Sequence, residues 1–363
     1  MEIKVINEQF SQHEIYNDIE KDQNSHEIIK DGKVYIVETP ESGGNTLETI
    51  EKFVKEVIST QSPAFQYNYK IGHRTIIQRL SLSKYFRRFH QYIDEYTPRK
   101  IFSPNVTLFF DSLKNLKIID ANSGEIYLPI PDTPFIFDLL INEIRRGSET
   151  IEFKNKIRKI ELNYKRNLKS ASNYVESLFY KYSRLLVLRI DLAFTKESQD
   201  GNPSDFVETA QKYIDKFLNA RRGNKIFASV VGYIWKLEYG KTKGLHFHFI
   251  FFMDGSKAKK DEFRTSEIGK YWMKITEGKG YFFNVNLNKR HYEKHGIGVG
   301  MIDHTDTDMR NNLLRIIQYF FKKDQYLMER YVKRPGLSVE VRCRKRELPS
   351  WVDPETVTTN RRI

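Results

Sequence analysis

The sequence predicts an α+β chain: a mostly helical region over residues 1–150, a charged helical connector over 151–179, and a strand-rich region over 180–346. Three observations predict it. Apolar residues recur at helical spacing in the first half. An antiparallel hairpin is legible in the second half. The 363 residues exceed one ordinary domain.

Residues 33–37 read as a short strand, and Gly43-Gly44 breaks the chain. Asn45 then precedes a helix with Glu48 in capping-box position and Leu47, Ile50, Phe53, Val54, Val57 and Ile58 at helical spacing. A second helix is expected over 75–96, carrying Arg79, Lys84, Arg87 and Arg88, and a third over 135–146. Gly147-Ser148 reads as another break, followed by a long charged helix over 149–181. Residues 184–194 read as a strand, with Leu186, Leu188, Ile190 and Leu192 on one face and Leu185, Val187, Arg189 and Asp191 on the other. Two charges inside an apolar strand need solvent, a partner or a function. Ser204 is the expected cap of a helix over 205–222.

The next segments organise the reading. Residues 228–239 and 245–252 are strands joined by a turn over 240–244. Alternation puts Leu245, Phe247, Phe249 and Phe251 on one face and His246, His248, Ile250 and Phe252 on the other. A hairpin centred on Thr242 sets Glu238 across from His246 and Lys236 across from His248, with opposed Cβ atoms ~5 Å apart. Two imidazoles and a carboxylate then share one side. Such a trio can hold a metal ion; alternatively the histidines are satisfied core residues and Glu238 lies on an edge. A helix over 260–276 follows, with Phe263, Ile268, Tyr271, Trp272 and Ile275 as its apolar positions, then a strand over 296–302. His291 and His295 read as a surface loop.

The last helix is expected over 308–331. Around it Asn312, Arg315, Lys322, Lys323, Tyr326 and Arg330 fall within roughly 60° of Tyr319. Tyr319 is either a boundary residue or a phenol among cations. Cations lower the cost of a phenolate, whose ordinary pKa is ~10, and stabilise charge on a phosphate under attack. A dense basic tail follows, from Lys333 to Arg346.

A net charge of +13 with 21 Tyr and 25 Phe suits a nucleic-acid binder, with cations for phosphates and rings for bases. The single cysteine, Cys343, excludes an internal disulfide and a cysteine zinc cluster. The first residues show no signal pattern, and no apolar run is long enough to span a bilayer. A soluble intracellular protein without membrane association is expected. No nucleoside-triphosphate loop is present, so unwinding would need a separate helicase.

Together, Glu238, His246-Phe247-His248 and Tyr319-Phe320-Phe321-Lys322 resemble the HUH endonucleases. The order and spacing look like rolling-circle replication initiators of the inovirus-type and prophage-encoded kinds, whose first motif is similar to Leu188-Arg189-Ile190-Asp191-Leu192. The resemblance covers about residues 180–345. Two-tyrosine initiators carry the second tyrosine four residues on, where this chain has Lys323, so one nucleophile is expected. The resemblance implies a central antiparallel sheet with the histidines on an inner strand and flanking helices. It implies that Glu238, His246 and His248 hold Mg²⁺ or Mn²⁺, although ligand type alone suits Mn²⁺ or Zn²⁺. Tyr319 would attack single-stranded DNA at a replication origin, with Lys322 steadying the charge. Arg189, Asp191, Arg315, Lys323, Tyr326 and Arg330 would contact the DNA. A host helicase and polymerase would be partners, in the cytoplasm of a bacterial host. Other readings are a transposase or relaxase sharing the histidine pair, and a non-enzymatic DNA-binding regulator.

Overall fold

The computed structural model of the chain describes residues 25–30, 33–38, 46–68, 76–96, 100–120, 125, 133–199, 203–220, 223–240, 244–287, 289, 297–323 and 327–329. In the first region, β1 (Ser25–Lys30) and β2 (Lys33–Glu38) form a hairpin ahead of α1 (Thr46–Ser59). Helical spacing in α1 sends Leu47, Ile50, Phe53, Val54 and Val57 into the core, while Ile58 stays exposed. Strands β3 (Phe65–Asn68) and β4 (Ile76–Arg79) pair antiparallel. A 3-10 helix (Ser81–Arg88) then runs into α2 (Phe89–Asp94), followed by β5 (Lys100–Phe102), α3 (Pro104–Asn115) and α4 (Pro134–Ser148). The Phe53 ring lies at the centre of this core, 5.3 Å from Phe137 and 6.2 Å from Phe109. Full burial of one such ring stabilises by roughly 1.5–3 kcal/mol.

Two expectations are corrected here and one helix is added. The single helix over 75–96 is instead a strand, a 3-10 helix and a short α-helix, because the β-branched pair Ile76-Ile77 ladders with β3. Helix α3 was not foreseen, although Ser103 caps it by accepting from the Val106 N–H at 3.2 Å and Pro104 opens it. The break expected at Gly147-Ser148 falls instead at Glu149-Thr150, ahead of the helix that starts at Ile151. Helix α4 runs through Gly147, where a Cβ would sit 2.4 Å from Leu108 Cδ1, so glycine lets α4 approach α3.

The second region comprises α5 (Ile151–Lys181), β6 (Arg184–Phe194), α6 (Pro203–Ala220), β7 (Val230–Gly240), β8 (Gly244–Asp254), α7 (Asp261–Ile275), β9 (Gly280–Asn284), β10 (Gly300–Asp303), α8 (Thr307–Lys323) and β11 (Leu327–Glu329). Its sheet is antiparallel throughout, ordered β7-β8-β6, with β9 and β10 sharing the far edge of β6. The histidine strand β8 is therefore interior. One sheet face, with Leu188, Ile190, Phe249 and Phe251, packs on Phe217 of α6 and Trp272 of α7. The other, with Leu185, Val187, Ile250 and Phe252, packs on Tyr174 and Val175 of α5 and on Leu313 and Ile317 of α8. The class is α+β with helices on both faces of an antiparallel sheet.

Two further boundaries move. The strand expected over 296–302 begins only at Gly300, where it meets β6. The last helix ends at Lys323, not 331, and β11 turns away to pair with β5. Of the apolar positions of α7, Phe263 is exposed, whereas Ile268, Trp272 and Ile275 are buried.

Candidate active site on the sheet face beneath α8

The hairpin register places Glu238 opposite His246 and Lys236 opposite His248, as the turn length implies. Across β8, Asp191 of β6 stands opposite His248, and Ala193 opposite His246. Directly opposed residues share a face. Two polar rows therefore cross the sheet, Ala193-His246-Glu238 and Asp191-His248-Lys236, and beyond them Arg189-Ile250-Ile234 begins the apolar part of that face. Every other residue of these strands faces the opposite, apolar core.

Both imidazoles are oriented through Nδ1. That of His246 lies 2.9 Å from the Gly244 carbonyl oxygen, and that of His248 lies 2.7 Å from Asp191 Oδ1. A carbonyl and a carboxylate can only accept, so each Nδ1 carries a proton, and in the neutral ring the lone pair then lies at Nε2. The ring centroids are 4.9 Å apart and nearly perpendicular at 86°. His246 is buried, and the His248 side chain is 14% exposed. Metal-ligating histidines also donate their second nitrogen to a carboxylate or a backbone carbonyl.

The acceptor for His246 depends on an unusual backbone. Gly244 has φ +64°, and a Cβ there would lie 1.8 Å from Gln199 Oε1. That same oxygen accepts from the Leu245 N–H at 2.8 Å, while Gln199 Nε2 donates to the Phe194 carbonyl at 2.9 Å. Gln199 thus ties the end of β6 to the start of β8. Gly244→Ala is expected to cost about 1–2 kcal/mol for the left-handed conformation alone, visible as a lower denaturation midpoint.

Around the rows, Lys236 is fully buried. The Arg189 backbone N–H donates to Asn286 Oδ1 at 2.7 Å, and its guanidinium lies 5.3 Å from the Phe320 ring centroid. Phe320 of α8 also lies 5.8 Å from His248 between ring centroids. Tyr319 precedes it, half-buried, at the margin of the apolar cluster. Asn312, on the Tyr319 flank of α8, donates to the Ile297 carbonyl at 3.2 Å. On the opposite flank Gln318 donates to Tyr164 Oη of α5 at 3.1 Å, and Arg310 pairs with Glu176 of α5. Arg315 is half-buried. The polar stripe of this helix is thus packed against neighbours along part of its length and is not a fully solvated face.

With that geometry in place, comparison with known families is informative. The family model described as the YagK/YfjJ C-terminal domain matches residues 147–337, more than half of the chain. The chain belongs to the YagK/YfjJ C-terminal domain family. No curated protein and no solved structure matches it. The span of the YagK/YfjJ domain takes in α5, the whole five-stranded sheet, α8 and β11, so both polar rows lie inside it.

Within the YagK/YfjJ domain, the structure brings together His246, His248, Asp191 and Arg189, and sets Glu238 opposite His246 by backbone register. The side chains of Glu238, Lys322 and Lys323 lie outside the described residues, as do Tyr326, Arg330, His291 and His295 altogether. Among the described residues no group of three or more His, Cys, Asp or Glu side chains forms a metal-holding cluster. Asp191, expected among the DNA contacts, is engaged with His248. Sequence reasoning missed the supporting residues Gln199, Asn286 and Phe320, none of which carries a spacing signal. No helix among the described residues is long and apolar enough to cross a membrane.

Proposed function

We propose that this protein is a metal-dependent endonuclease and strand transferase of the HUH type, which nicks and rejoins single-stranded DNA. The observation that carries the reading is the pair of imidazoles held through Nδ1, which makes Nε2 the ligating nitrogen of each neutral ring. Two such nitrogens and a carboxylate suit Mn²⁺ or Zn²⁺ by ligand type, the HUH resemblance implies Mg²⁺ or Mn²⁺, and His246, His248 and Glu238 would hold the ion. When bound, the ion polarises a phosphate oxygen of the scissile bond. Tyr319 Oη attacks the phosphorus as its proton is lost to solvent, the bond to the 3′ oxygen breaks, and that oxygen takes up a proton. The products are a 5′-phosphotyrosine and a 3′-OH. The ester is retained, so attack by a 3′-OH regenerates the phosphodiester and the phenol. The free 3′-OH is a primer, which fits initiation of rolling-circle replication of a phage or prophage-derived element in the bacterial cytoplasm, with a host helicase and polymerase. Lys322, Arg315 and the other cations of α8 would stabilise the phosphate charge.

Asp191 acts as a positioning residue. Asp191→Asn is expected to weaken metal affinity by about 10–100-fold, read by calorimetric titration with Mn²⁺ and accompanied by a matching fall in cleavage at limiting metal.

The bond between Asp191 and His248 favours one second reading, a DNA-binding protein in which the polar rows are structural. The deciding experiment incubates the protein with labelled single strands tiling its own replicon, with and without Mn²⁺, on a denaturing gel. Label migrating with the protein only when metal is present supports the enzyme. Binding without transferred label on every strand supports the second reading.

A further inference from the structure

Helix α5 is 31 residues long, and its first 20 residues hold seven Lys or Arg against two Glu, a net charge of +5. Around the helix at 100° per residue, Lys154, Arg158, Lys165 and Lys169 fall within about 60° of one another, with Lys159 and Arg166 on the adjoining flank. All six are exposed. A neighbouring face, centred about 110° from the stripe, carries Phe153, Ile157, Ile160, Tyr164 and Leu168, all half-buried. Phe153 packs on the core of the first region, and Tyr164 and Leu168 pack on the second. The apolar face is thereby covered at both ends, and the orientation of the cationic face is set. Lys154 pairs with Glu149 at the helix start. No described carboxylate pairs with Arg158, Lys159, Lys165 or Lys169.

We infer that this cationic face of α5 binds the phosphate backbone of duplex DNA. The stripe from Lys154 to Lys169 runs about 22 Å at 1.5 Å per residue. A duplex presents roughly a dozen phosphates over that length. A rigid row of cations matches a rigid row of phosphates without reading bases. The face holds no aromatic ring between Lys154 and Lys169, because Tyr164 points to the covered side and bonds Gln318. Single-strand binders use such rings as stacking platforms, so duplex is the favoured partner. A membrane surface needs an uncovered apolar face, and here Phe153, Tyr164 and Leu168 of that face pack on the two cores. The inference extends the proposed reading by locating the duplex beside the nicked strand, but it is measured by binding alone.

The test uses the full chain and fluorescence anisotropy with a 20-bp duplex of random sequence, a single strand of the same length, and phosphatidylglycerol vesicles. In the triple variant Arg158→Gln, Lys165→Gln, Lys169→Gln, three phosphate contacts are lost. Duplex affinity is expected to fall about 10²-fold near ~0.1 M salt, and the slope of log K against log salt to become shallower by about 2.7. The single strand is expected to lose much less. Glu161→Gln, which removes a carboxylate beside the stripe, is expected to tighten duplex binding and so separates charge from damage to the fold. Unchanged duplex affinity and slope in the triple variant would overturn the inference. So would equal losses on duplex and single strand, or a loss confined to vesicles. Failure of the wild type to nick any DNA would count against the endonuclease and leave these binding results standing.

Discussion

Tyr319→Phe is expected to abolish the covalent protein–DNA product while leaving the fold and DNA affinity nearly unchanged. The substitution removes one hydroxyl and keeps the ring that packs, half-buried, against the cluster of Leu313, Ile317 and Phe320. Its stability effect should therefore stay below about 1 kcal/mol. Under the proposed mechanism the substitution removes the attacking oxygen, and the neighbouring Phe320, 5.8 Å from His248 between ring centroids, has no hydroxyl to replace it. A fall of at least about 10³-fold in adduct formation corresponds to roughly 4 kcal/mol of barrier. The measurement is the labelled-adduct gel run beside anisotropy on the same strand. An adduct of wild-type yield in the variant would remove Tyr319 from the mechanism.

His246→Ala and His248→Ala are expected to lose cleavage and metal response together, each by at least about 10²-fold, with Mn²⁺ binding falling in parallel by calorimetry. Their effects on stability should differ. His246 is buried and held by the Gly244 carbonyl, so its truncation leaves a cavity in a packed row. His248 is partly exposed, and its truncation removes the hydrogen bond to Asp191. Thermal melts of both variants separate loss of ligand from loss of fold. Cleavage that persists in the presence of a strong chelator would defeat the metal assignment.

Much of this arrangement was legible in the chain, and the reasons are physical. Gly240 and Gly244 bracket a short connection, and period-2 alternation permits one register in which Phe247, Phe249 and Phe251 are all buried. A slip by one residue would turn each to the other face. The register of Glu238 with His246 follows from local geometry alone. The partnership of Asp191 with His248 does not, because it joins strands 57 residues apart and depends on how β6 docks. Likewise, angular positions on α8 group Tyr319 with Arg315 but do not say which side of the helix meets the sheet, and Phe320 takes that contact. The end of α8 was also hidden. Leu327 and Met328 continue an apolar pattern, and only pairing with Ile101 and Phe102 makes them a strand. Residues 76–79 were mistaken for helix for the same reason, their ladder with β3 outweighing the surrounding pattern.

The pairing of β5 with β11 bears on the timing of synthesis. Phe102 meets Leu327, a separation of 225 residues. At about 5–20 residues per second, β11 is made roughly 11–45 seconds after β5. Throughout that interval the first region can fold around Phe53 and Phe137, yet the edge of β5 waits for its partner. Exposed strand edges invite pairing with other chains, and short ones do so least. Three residues is a short edge, consistent with a seam that closes last and joins the first region to the strand that follows α8.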